Sequence, residues 1–76
     1  MSKEEINDAL SNLKYNRATI ERNQGLRGVI FKEVRVLYKK IDNKSKIPQW
    51  QQLLNLIDER IIKLTIKLEE HDNRTD

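Results

Sequence analysis

Apolar residues recur every three or four positions through most of this 76-residue chain, which is the spacing of one helix face. The first run follows Ser2 and Glu5, which have the spacing of a capping box, where each side chain bonds the other residue's backbone. It stops before Gly25, a residue suited to the left-handed position just beyond a helix. Its apolar members are Ile6, Leu10, Leu13 and Ile20. The pattern predicts a first helix over about residues 3–23.

The middle segment, VIFKEVRVLY at residues 29–38, is rich in β-branched and aromatic residues that favour strands as much as helices. Helical spacing places Ile30, Val34 and Leu37 on one face. A strand would instead place Glu33 and Arg35 on the same side as apolar neighbours. We therefore predict a second helix over about residues 28–42.

Two alternatives for the first junction stay open. If Gly25 and Gly28 were tolerated inside a helix, the first two helices would fuse into one rod, with Arg17 in its apolar seam. The sequence GLRG at residues 25–28 also has the outline of the GxxG loop of KH domains, although that fold needs flanking strands. We favour an interhelical turn.

The third helix is the clearest element. Turn-forming residues 42–45 and then Pro48 break the pattern, and a heptad seam follows over a predicted helix at about 48–70, with a frayed tail at 71–76. A chain this short buries a thin core, so association is expected. The prediction is one all-α domain over residues 1–76, a small antiparallel bundle of two to three helices completed by homodimerisation. The predicted oligomer seam is Leu54, Ile57, Ile61, Leu64 and Leu68.

Composition indicates the cellular compartment of the protein. The chain has no cysteine, which excludes disulfides and thiolate sites and is typical of a reducing compartment. No apolar run approaches the roughly 20 residues that span a bilayer, and the start does not resemble a secretory signal. We therefore expect a cytoplasmic protein that does not bind membranes.

The inventory of chemically reactive groups is poor. His71 is the only histidine, and its acidic neighbours Glu70 and Asp72 are adjacent in sequence, so on a helix they point in different directions. We expect no catalytic residue, no metal site and no cofactor, and hence no enzyme.

Positive charge is concentrated in the middle of the chain. The net charge is +3, yet residues 27–46 hold seven basic residues against Glu33 and Asp42. Such a segment could be a solvated surface paired with the acidic third helix, a contact for nucleic-acid phosphates, or a site for an acidic protein. The seven candidates are Arg27, Lys32, Arg35, Lys39, Lys40, Lys44 and Lys46.

Three aromatic residues are candidates for binding a partner, namely Trp50, Phe31 and Tyr38. Trp50 begins the third helix on its apolar seam, where it could cap the core or anchor a partner. We expect a helical adaptor, regulator or inhibitor that docks on a larger protein, with a nucleic-acid-binding regulator as the alternative. The abundance of lysine, asparagine and isoleucine is compatible with an AT-rich genome, such as that of a phage.

Overall fold

Three helices make up the fold in the computed structural model, which describes the backbone of residues 1–74 and the side chains of residues 1–72. They are α1 (Lys3–Asn23), α2 (Lys32–Tyr38) and α3 (Gln49–Arg74). No strand occurs in these described residues, and the three helices pack together. The all-α prediction is confirmed, and the KH-like alternative is wrong.

Helix α1 begins and ends for local reasons. Its N-terminus is a capping box, in which the Ser2 hydroxyl accepts a hydrogen bond from the Glu5 N–H and the Glu5 carboxylate accepts one from the Ser2 N–H, both at 3.2 Å. At the other end, Gln24 takes the left-handed conformation with φ 51°, not Gly25 as the sequence suggested. The Gly25 N–H then donates to the Ile20 carbonyl.

The fused rod is also wrong. Gln24 ends α1, and Gly28 has φ 79°, a conformation that a helix does not allow and that glycine adopts at little cost. Helix α2 starts at Lys32 and ends at Tyr38, which is much shorter than the predicted range 28–42. Beyond it, the Lys40 and Ile41 N–H groups bond three residues back, to the Leu37 and Tyr38 carbonyls, as in turns. Residues 29–31 are not helical, and the Val29 carbonyl and the Phe31 N–H bond instead to a side chain of α1.

That side chain is Asn16, which is fully buried on α1. Its amide nitrogen donates to the Val29 carbonyl and its amide oxygen accepts from the Phe31 N–H, both at 2.8 Å. The Phe31 carbonyl then accepts from the N–H groups of Val34 and Arg35, which opens α2. Asn16 thus sets the point at which the β-branched segment stops being extended and α2 begins.

Helix α3 is longer than predicted, because residues 71–74 of the expected frayed tail continue the helix; residues 75 and 76 lie outside the described part. Two contacts hold this end against the start of α1. Lys3 forms an ion pair with Asp72 at 2.6 Å, and a His71 ring nitrogen lies 2.9 Å from the Met1 carbonyl oxygen.

The core lies mainly between α1 and α3. These helices are antiparallel, since Lys3 at the start of α1 meets Asp72 late in α3, whereas Arg17 meets Asp58 nearer the middle. Three predicted seam residues, Leu54, Ile57 and Leu64, are buried inside this single chain, and Ile61 and Leu68 pack against the same core. Each fully buried side chain of this kind contributes roughly 1.5–3 kcal/mol.

Helix α2 bridges the other two helices. At its start Asn12 of α1 donates to the Glu33 carboxylate, and at its end the Tyr38 hydroxyl donates to Gln49 of α3. Val34 and Leu37 point into the core. Within the described residues, no helix is long and apolar enough to cross a membrane.

Candidate functional site

One surface is a row of cations along α2 and its C-cap, which we call the basic face: Lys32 and Arg35 on the helix, and Lys39 directly after it. These residues follow one another at three- and four-residue spacing, on the side opposite the buried Val34 and Leu37. All three are exposed. Because Val34 and Leu37 face the core, the opposite side with the three cations faces solvent.

The other predicted cations flank the basic face in the adjoining loops. They are also exposed, and they are Arg27, Lys40, Lys44 and Lys46. Among the described residues, none of the seven forms an ion pair, since the pairs found there belong to Lys3 and Arg17. Pairing with the acidic third helix, one of the predicted explanations, is therefore not seen in this part of the chain.

The two acidic residues of the segment are engaged elsewhere. Glu33 accepts hydrogen bonds from the Asn12 amide at 3.2 and 3.3 Å. The Asp42 carboxylate accepts from the Lys44 backbone N–H at 2.9 Å. Seven cations against two anions leave residues 27–46 with a local charge of +5.

The loop that carries Lys44 is held by glutamines in the first turn of α3. Gln52 accepts a hydrogen bond from the Asp42 N–H at 3.0 Å and donates to the carbonyls of Asp42 and Ile47 at 3.1 and 2.9 Å. Gln49 donates to the Asn43 side chain at 2.8 Å. Sequence reasoning missed this role, although the run QWQQ directly after Pro48 was visible.

The second surface is a groove of about 740 Å³ where the three helices meet. Buried Ala9, Leu37 and Leu64 lie along it together with half-buried Leu56 and with Val36, which is 57% exposed. Eight charged residues also line the groove, four of each sign. They are Glu5, Asp8, Glu33 and Glu59, and Lys32, Lys40, Arg60 and Lys63.

Within the described residues, none of these eight charges is in an ion pair. The Glu5 carboxylate bonds within its capping box, and hydrogen bonds from Ser2 lower its pKa because they favour the charged form. The Glu33 carboxylate bonds to Asn12. The other six charges form no ion pair in this part of the chain, although the charge of Lys32 also helps to lower the pKa of Glu5.

The three aromatic candidates differ in their burial and contacts. Trp50 is half-buried and packs against the core. Phe31 is half-buried and makes an edge-to-face contact with Tyr15, with ring centroids 5.8 Å apart. Tyr38 is 40% exposed. Of the three, Tyr38 offers the most open surface.

Two polar residues of α1 have roles that sequence reasoning missed. Asn16 lies three residues after Leu13 and four before Ile20, so its place on the apolar face could have been noticed. Arg17, which the rod alternative placed in a seam, bonds Asp58 at 2.5 Å and Glu21 at 2.8 Å. The hydrogen bond and the charge of Asp58 raise the pKa of Arg17.

No metal-binding cluster is found among the described residues. His71 lies at the end of α3 and contacts the Met1 carbonyl. The described side chains contain no group of three or more histidine, aspartate or glutamate residues that could hold a metal ion.

A comparison of the chain with protein-family models, curated proteins and solved structures gave no match. The basic face and the groove are therefore the two surfaces on which a function can be proposed.

Proposed function

We propose that this chain is a small non-enzymatic helical protein that docks on a larger protein through the groove, as an adaptor, regulator or inhibitor. The observation that supports this is a groove whose lining combines exposed Val36 and half-buried Leu56 with eight charged residues. An apolar centre with a polar rim is the usual anatomy of a protein interface. The lack of cysteine supports action in the cytoplasm.

The partner that suits this groove is an amphipathic helix. The lining residues come from three helices, so a fourth helix could set an apolar side chain between them, as in helix-in-groove recognition. Because the charges along the groove balance, recognition would depend on the pattern of charges rather than on net attraction. Binding should accordingly depend only weakly on salt.

The test compares two valine-to-aspartate variants. Val36→Asp places a charge on the apolar lining of the groove, while Val29→Asp makes the same change at a residue that is 68% exposed and does not line the groove. A target captured by the wild-type chain should be purified and titrated against all three proteins. We expect Val36→Asp to weaken binding at least about tenfold and Val29→Asp to leave it unchanged. Equal affinities for the two variants would rule out the groove as the docking site.

Homodimerisation belongs to this proposal, but with other residues than the predicted seam. The seam residues contribute to the core of one chain, whereas Ile62 and Ile66 are 59% and 49% exposed and lie one turn apart on α3. We expect sedimentation equilibrium to show a dimer that Ile62→Ser/Ile66→Ser dissociates. A wild-type protein that stays monomeric at high micromolar concentration would contradict this.

A further inference from the structure

We propose that the basic face is a second binding site, distinct from the groove, and that it contacts the phosphate backbone of duplex nucleic acid. The two surfaces share α2 but can be separated, because Arg35 and Lys39 do not line the groove. This inference does not depend on the docking function proposed above.

The spacing of the cations suits a row of phosphates. With a rise of about 1.5 Å per residue, Lys32, Arg35 and Lys39 are roughly 4.5 and 6 Å apart along the helix axis. Phosphates of one strand follow one another every ~3.4 Å along a duplex, so the basic face spans about three of them.

The charge of this region is available to a ligand. Every one of the seven cations is exposed, and none is in an ion pair within the described part of the chain. Glu33 and Asp42, the acidic residues of the same segment, bond to Asn12 and to the loop backbone instead. Arg35, Lys39 and the loop cations are therefore left to solvent counterions, and the release of counterions is what drives binding to nucleic acid.

The loop beside the basic face is also ordered in advance. Lys44 donates its backbone N–H to Asp42, and Asp42 is held by the Gln52 side chain. Binding would therefore cost less conformational entropy than it would for a free loop, because the backbone is already placed.

The composition of the surface favours duplex nucleic acid over an acidic protein or a single strand. Protein interfaces are depleted in lysine and rely on aromatic or apolar anchors, and single-strand sites use aromatic side chains on which bases stack. Tyr38 is the aromatic residue on α2, and its hydroxyl already bonds to Gln49. Tyr38, which is 40% exposed, offers one ring, whereas a single-strand site stacks successive bases on several aromatic side chains. The row of exposed cations therefore fits backbone contacts of a duplex better.

The test uses two triple variants with the same change of charge. The first is Arg35→Gln/Lys39→Gln/Lys44→Gln. The control is Arg22→Gln/Lys14→Gln/Lys67→Gln, which also removes one arginine and two lysines from exposed positions. Each lowers the net charge from +3 to 0, since 3 − 3 = 0. Lys32 and Lys40 stay, because they also line the groove.

Binding is measured by fluorescence anisotropy of a labelled duplex of about 20 base pairs between roughly 50 and 200 mM salt. We expect wild-type affinity in the micromolar range at low salt. The first variant should bind at least about tenfold more weakly, and its salt slope should flatten by ~0.9 for each phosphate that the protein no longer neutralises. The control should stay close to wild type, and circular dichroism should show both variants folded.

Two results would overturn the proposal: no binding at the lowest salt, or an equal loss of affinity in both triple variants. Competition by polyglutamate as effective as that by unlabelled duplex would also overturn it, in favour of an acidic protein partner.

Discussion

Replacing Asn16 by alanine is the most informative change that the structure suggests. Asn16 is fully buried, and its side chain bonds both the Val29 carbonyl and the Phe31 N–H at 2.8 Å. Alanine would keep the helix and remove both bonds at once. The extended segment before α2 would then have no side chain of α1 to bond to at this point.

The expected cost follows from the two backbone groups left behind. A buried donor or acceptor that loses its partner costs about 1–3 kcal/mol. Val29 is 68% exposed and Phe31 is half-buried, and both hydrogen bonds are only partly buried, so the cost should lie below that of two fully buried groups. We therefore expect Asn16→Ala to lower the free energy of unfolding by about 2–4 kcal/mol, against a total of roughly 5–15 kcal/mol for a typical domain.

The assay is urea unfolding followed by circular dichroism, with Asn7→Ala as the matched control. Asn7 is an exposed asparagine in the same helix, so the control reports the change in helix propensity alone. If Asn16→Ala and Asn7→Ala differ by less than about 1 kcal/mol, the two hydrogen bonds do not hold the segment as argued.

A second substitution at the same position adds a dependence on pH. Asn16→Asp keeps the shape but buries a carboxylate that faces the Val29 carbonyl, so its pKa in the folded state should lie above the unfolded value of about 3.9. The protonated form can donate to that carbonyl, and the charged form cannot. This variant should therefore be destabilised at neutral pH and regain stability as the pH falls through the raised pKa. A destabilisation that does not change between pH 7 and pH 3 would contradict this.

Three further predictions concern other contacts. Gly28→Ala should destabilise the fold by about 1 kcal/mol because φ there is 79°, whereas Gly25→Ala should be neutral or stabilising; equal melting temperatures would contradict this. A double-mutant cycle for Arg17 and Asp58, which are 39% and 46% exposed, should give at most about 1 kcal/mol of coupling, and 1 M salt should reduce it. NMR titration should find the pKa of Glu5 below 4.5, so its contribution to stability is present above that pH and is lost as the pH falls through the folded pKa; an unshifted titration would refute this.

The parts of the fold that follow from neighbouring residues could be predicted from the sequence. Helix α1 spans Lys3–Asn23, as its apolar spacing and capping box indicated. Helix α3 starts directly after Pro48. In both cases the determining groups lie within one helical turn of the boundary, so the local sequence is sufficient.

The boundary of α2 could not be predicted, because it depends on a contact between residues far apart in sequence. Asn16 bonds Phe31, fifteen residues later, and no local sequence pattern predicts such a contact. The predicted helix start at residue 28 failed there. The predicted cap residue of α1 was also wrong. Gln24, and not Gly25, adopts the left-handed conformation that is most common for glycine at the end of a helix.

The candidate surfaces, like the fold, could be predicted from the sequence only in part. The seven cations were identified by residue number from the charge distribution alone, and the exposure of Lys32, Arg35 and Lys39 followed from the position of the apolar residues of α2. The groove could not be foreseen, because its lining combines residues of α1, α2 and α3 whose separation depends on where the short α2 ends.

The shortness of α2 links the two surfaces energetically. A helix of seven residues is not stable alone in water, so Lys32–Tyr38 is helical only while it is docked on α1 and α3. Detachment of this one element would remove the basic face and one wall of the groove together. A ligand on either surface therefore favours the docked state, and by reciprocity it strengthens binding at the other surface even without contact between the ligands. Slower amide exchange within 32–38 when either surface is occupied would be the direct sign of that coupling.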